Sequence, residues 1–95
     1  MTAFLNMTEA QLSALECAGV FEGVDEELAK FVSGKQIQAT DESVALVNEL
    51  SNHLDSLGHG KDEPDPEKRK WYRRDAAVLS NLFTKMSKSV YGVTA

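Results

Sequence analysis

The sequence predicts an all-α protein, a compact bundle of four helices, and three observations carry that prediction. Apolar residues recur at intervals of three and four in two long segments, Val47 to Leu57 and Tyr72 to Val90, which is the spacing of a buried helix face. Residues that start helices (Thr8, Asp25, Thr40 or Asp41, Asp65) alternate with glycines that stop them (Gly19, Gly34, Gly58, Gly92). The composition is 42% hydrophobic and 26% charged, with two prolines, which is globular rather than disordered. At 95 residues the chain holds one core, so residues 1–95 are read as a single domain. Helices three and four form its main antiparallel pair, and helices one and two cap one end.

The first helix opens at Thr8, where Gln11 completes a capping box and Met7 can staple onto Leu12. Leu12, Leu15 and Ala18 are its apolar stripe; Gly19 closes it, with Val20 folding back on Leu15. The second helix is short. Asp25 caps it, Glu26 and Glu27 suit the positive end of its dipole, Leu28, Phe31 and Val32 are its buried side, and Gly34 ends it. Lys35 to Ala39 alternates briefly, but a lone strand is unstable and the stretch is read as a linker. The third helix runs from the Thr40 or Asp41 cap to Gly58 on the seam Val47, Leu50, Leu54, Leu57, and a polar loop, GHGKDEPD, follows. Asp65 caps the fourth helix with Pro66 in its first turn. Its seam is Tyr72, Ala76, Leu79, Phe83, Met86 and Val90, ending at Gly92.

Charge is distributed unevenly. Residues 1–60 hold ten acids and two bases, residues 61–95 five acids and eight bases, for a net charge of −5. At about 100° per residue, Lys70, Arg73, Arg74, Lys85 and Lys88 share the face of the fourth helix opposite Tyr72, Leu79 and Phe83. Trp71 and Tyr72 are expected to turn toward the core or its edge, away from the arginines, which weakens the likeness to an aromatic-basic nucleic-acid site. Asp75 falls near the apolar arc, where a carboxylate needs a partner such as Arg74.

No carrier of catalysis stands out, and the protein is not expected to be an enzyme. Cys17 follows Glu16 in an acidic helix, the wrong setting for a thiolate nucleophile, and no glycine-rich phosphate loop or nucleophile elbow occurs. His53 and His59 with Asp55, Asp62 and Glu63 match no metal-ligand spacing, so neither a metal nor another cofactor is expected. The helix after the second turn begins Asp41-Glu42 and carries no base, which removes a helix-turn-helix reading. The N-terminus lacks a leader pattern, no apolar run is long enough to span a membrane, and a single cysteine suits a reducing compartment. A cytoplasmic location follows.

The expected function is non-covalent binding by a protein-interaction module, an inhibitor or adaptor that docks on another protein and can form a homo-oligomer. Small acidic helical chains of this composition are common among phage and mobile-element proteins that act on host machinery, an association of composition only. The candidate contacts are Lys70, Arg73, Arg74, Lys85 and Lys88 on the basic face and Glu22, Asp25, Glu26 and Glu27 on the acidic side. Two alternatives use the same surfaces. One is a small nucleic-acid-binding subunit working through the basic face of helix four; the other is an acidic DNA mimic working through helices one to three.

Overall fold

The computed structural model describes residues 3–92. Its elements run β1 (Ala3–Asn6), α1 (Glu9–Glu22), α2 (Asp25–Ala29), β2 (Val32–Ser33), β3 (Gln36–Ala39), α3 (Asp41–His59) and α4 (Pro66–Tyr91). The fold is mostly helical, with α3 and α4 packed closely along their length. It is not purely α, because it holds a three-stranded antiparallel sheet in the order β1-β3-β2: β3 stands where a linker was expected, and β2 takes Val32, since α2 ends at Ala29 and not at Gly34.

The sheet forms because the middle strand has partners on both sides. β1 arrives from the start of the chain, with Leu5 opposite Ile37 and Asn6 opposite Gln36. β2 folds back through a two-residue turn in which Gly34, at φ 61°, supplies the positive φ that so tight a hairpin needs. Ile37 and Ala39 are buried, whereas Gln36 is exposed and its side-chain amide donates to Asn6 Oδ1 at 3.0 Å. The alternation of Lys35 to Ala39 is therefore a strand period, with one face on the helices.

The helix starts fall where the capping residues place them. Thr8 and Gln11 form the capping box, and Met7 beside it is buried. Thr40, not Asp41, caps α3, pairing with Ser43, whose hydroxyl also donates to the Gln38 carbonyl at 2.7 Å. Asp65 accepts from the Glu67 N–H at 2.9 Å with Pro66 in the first turn, and Gly92 closes α4 at φ 58°. In α2 the cap position is Val24, so Asp25 is the first helical residue.

Two of the expected stops lie inside helices. α1 continues through Gly19 to Glu22 and ends at Gly23, φ 72°. Gly19 is buried, and a Cβ there would sit 2.5 Å from Leu28 Cδ1 and 3.5 Å from the Asp25 Cα, so its bare backbone leaves room for the tip of the Leu28 side chain against α1. Val20 consequently stays helical and 70% exposed instead of folding back on Leu15. Gly58 does the same for the α3–α4 pair: a Cβ would strike Arg73 Cγ and come within 3.0 Å of the Arg73 backbone nitrogen. α3 ends one residue later, at His59.

The core lies between α3 and α4 and is closed by α1 and β3. Val47, Leu50 and Leu54 meet Tyr72, Ala76, Leu79, Leu82 and Met86, with Leu15, Ala18 and Ile37 completing the cluster. Leu82 is fully buried, whereas Phe83 and Val90 are only half-buried, so the seam of α4 is rotated toward Leu82 relative to the expected one. The two helices run antiparallel, since Gly58 meets Arg73 while Ser51, earlier in α3, donates to the Ala76 carbonyl at 2.9 Å later in α4. Among the described residues no helix is long and apolar enough to cross a membrane.

Candidate functional site

Lys70, Arg73, Arg74, Lys85 and Lys88 of α4 are all exposed, but they are not equally available. Lys85 directs its ammonium to the Asn6 carbonyl at the end of β1. Arg73 lays its stem on Gly58 and points Nη1 at the Gly58 carbonyl, 3.4 Å away. Arg74 Nε lies 3.6 Å from Asp75 Oδ1, so the buried carboxylate of the apolar arc has Arg74 for its neighbour. Lys70 and Lys88 make no hydrogen bond or ion pair among the described residues. Both halves of the face are thus partly engaged, Arg73 and Arg74 near its start and Lys85 near its end, with Lys70 and Lys88 projecting their charge outward.

Trp71 packs at the edge of the core as expected but stands beside Arg74 and not away from it. Tyr72 is buried as predicted, but Trp71 is half-buried and lines an open groove of about 420 Å³ together with Glu67, Lys70 and Arg74. On its other side lies a second groove, about 410 Å³, formed with Phe21, Lys68 and Tyr72. The rings form a row, Trp71 edge-on to Tyr72 with centroids 5.2 Å apart and Tyr72 tilted against Phe21 at 5.8 Å. The indole comes out beside Arg74 because it precedes it by three residues, close enough on a helix to share one flank. An aromatic ridge with Lys68 on one side and Lys70 and Arg74 on the other is the result.

Phe21, 51% exposed, was not a candidate from the sequence. The signal was present only for its neighbour Val20. Once α1 is carried through Gly19, Val20 lies about 140° from Leu15 at 100° per residue and leaves the buried stripe, while Phe21 falls about 20° from Ala14, at the edge of that stripe.

The acidic candidates also separate. Glu22 is half-buried, with its carboxylate against the His53 ring of α3, a contact that joins the end of α1 to α3 and is an ion pair when the imidazole is protonated. Asp25, Glu26 and Glu27 are exposed on α2. Being consecutive on a helix, they project in three directions and do not form a single row. Beside them, Glu16 and Asp25 rim a groove of about 390 Å³ whose apolar lining includes Leu15, Val20, Leu28 and Val32.

The two histidines go to different partners, His53 to Glu22 and His59 to the Asp55 carbonyl at 2.9 Å. Among the described residues no group of three His, Cys, Asp or Glu side chains is arranged to hold a metal ion. Cys17 is a free, exposed thiol. At the far end of α4 the Tyr91 phenol is held above its ordinary value by a hydrogen bond to Asp41, with desolvation and the charge of that carboxylate adding to the effect. No family model matches the chain, and neither a curated protein nor a solved structure does.

Proposed function

We propose that the protein is a non-covalent docking module that binds an acidic, apolar-anchored surface of another protein through the first half of α4. The observation that supports this reading is the placement of Trp71 between two open grooves, with Phe21 and Tyr72 beside it and, at the rim, Lys68, Lys70 and Arg74 against one acid, Glu67, that both grooves share. Tryptophan, tyrosine and arginine are the residue types that dominate binding energy at protein interfaces when they sit centrally and are ringed by polar groups. The rim cations would steer an acidic partner and speed its association, while the aromatic row would set the dissociation rate. A net charge of −5 opposes approach to a duplex, which ranks a protein partner above nucleic acid. Action as an inhibitor or adaptor in the cytoplasm is part of the same proposal.

The test is capture of partners from the native host with wild type and with the Lys68→Glu/Lys70→Glu double variant, before and after nuclease treatment. Both lysines are exposed, so the variant should stay folded, with a stability change of about 0.5 kcal/mol or less per site; circular dichroism checks this. A nuclease-resistant partner that is lost with the variant, and whose association rate falls as salt rises, is the expected result. A partner retained by the folded variant would refute the surface, and one removed by nuclease would transfer the site to single-stranded nucleic acid stacking on Trp71.

A further inference from the structure

The groove between α1 and α2 lies outside the α4 surface and differs from it in chemistry. Leu15, Leu28 and Val32 line it, Val20 stands beside them at 70% exposure, and Glu16 and Asp25 form the rim. Gly19 makes this arrangement possible, since the missing Cβ lets the Leu28 side chain rest directly on α1. At about 390 Å³ the groove is within the range of roughly 300 to 1,000 Å³ typical of ligand sites. It is apolar at its base and negative at its edge, and Glu26 and Glu27 stand exposed on α2, beyond that rim.

We infer that this groove binds a basic amphipathic helix of a partner protein, one that sets aliphatic anchors about one turn apart between α1 and α2 and faces Lys or Arg toward Glu16 and Asp25. Helix-in-groove recognition needs an apolar channel between two helices and a rim of complementary charge. Here the channel is Leu15, Val20, Leu28 and Val32, and the rim belongs to the half of the chain that carries ten acids against two bases. A second copy of this chain is a poor occupant. Its only strongly basic helix is α4, whose Leu79, Leu82 and Met86 are fully buried in its own core, so it has no aliphatic stripe to offer. The site is independent of the α4 surface, and either can fail without the other.

The probe is a synthetic eighteen-residue Leu/Lys amphipathic helix, compared with a Leu/Glu helix of identical apolar face. Wild-type protein is titrated with each, and binding is read by fluorescence anisotropy and by methyl chemical shifts of the labelled protein. The Leu/Lys helix should saturate at one per chain and shift the methyls of Leu15, Val20, Leu28 and Val32, while the Leu/Glu helix should not bind. Val20→Ser and the Glu16→Lys/Asp25→Lys pair alter exposed positions and should each weaken binding about tenfold or more, the scale of one lost anchor contact. The Glu42→Lys/Asp55→Lys pair changes net charge equally at exposed sites that do not line the groove and should leave binding within about twofold, well short of that anchor-contact scale. Equal weakening by both charge pairs, retained affinity in Val20→Ser, or methyl shifts spread outside the groove would overturn the inference. So would concentration-dependent self-association in sedimentation that is abolished by Val20→Ser, because the groove would then be covered by a second copy.

Discussion

Gly58→Ala separates two accounts of the same glycine by the sign of its effect. At a solvated helix position the change from glycine to alanine stabilises by about 1 kcal/mol, because alanine loses less backbone entropy. At Gly58 the added Cβ would meet Arg73 Cγ, with the Arg73 nitrogen at 3.0 Å and the Arg69 carbonyl oxygen at 3.2 Å. The arginine stem can swing away, at the cost of its contact with the Gly58 carbonyl at 3.4 Å, but the two backbone atoms move only if α3 and α4 separate. Overpacking of this kind costs about 1 to 3 kcal/mol. Set against the propensity gain, the net expectation is a loss of up to about 2 kcal/mol, and a fall in Tm of roughly 4 to 8 °C per kcal/mol for a domain of this size. Urea denaturation followed by circular dichroism measures it. Arg73→Ala removes the Cγ and should recover at least about 0.5 kcal/mol of the loss in the double variant, a coupling expected only of residues in contact. A Gly58→Ala protein more stable than wild type, or one indifferent to Arg73→Ala, would refute the close approach of α3 and α4 at this point.

Other expectations follow from the packing and the caps. Leu82→Ala should cost about 2 to 5 kcal/mol by leaving a cavity, and more than Phe83→Ala, since Leu82 is fully buried and Phe83 only half so; denaturant midpoints in the opposite order would place the seam as the sequence alone drew it. Gly34→Ala should destabilise by about 1 to 2 kcal/mol because the hairpin holds that residue at φ 61°, measured by thermal melting. The Tyr91 phenol is raised by Asp41, so its neutral form is favoured in the folded chain. Its contribution is therefore complete below the ordinary phenol value of about 10 and is lost as pH rises through the higher folded value. Ultraviolet titration should show one tyrosine ionising late in wild type and earlier in Asp41→Asn.

What could be read from the sequence was whatever a short window determines. Thr8 with Gln11 and Asp65 with Pro66 each act within a few residues and are found in place, and the period of α4 is found too, although its seam turns toward Leu82. The sheet could not be read that way, because the stability of Gln36–Ala39 depends on Ala3–Asn6, more than thirty residues earlier. Gly19 and Gly58 misled for a related reason. A glycine that ends a helix and a glycine that admits a neighbouring helix are the same letter, and only the positions of Leu28 and Arg73 tell them apart. For the candidate site, the five co-facial bases were legible from helical period alone. Their unequal availability was not, since Lys85 and Arg73 are engaged by carbonyls of Asn6 and Gly58, atoms that every residue possesses and that no side-chain pattern announces.

Continuation of α1 through Gly19 also links the two proposed surfaces. Val20 and Phe21 are neighbours in the chain, yet a helix sends them about 100° apart, so Val20 stands at the acid-rimmed groove and Phe21 in the aromatic row with Tyr72 and Trp71. Both remain more than half exposed, at 70% and 51%. Core packing does not account for that exposure, since the buried stripe of α1 is complete with Ala14, Leu15 and Ala18. One isolated apolar residue on a surface is ordinary; two in succession, one at an acid-rimmed groove and the other at a groove edged by Glu67 and Lys68 together, are the pattern of contact surfaces. The Glu22 carboxylate lies against His53 of α3 in the same turn, so both grooves are built against a helix end that touches α3, and a partner docking in either would meet a wall already in position.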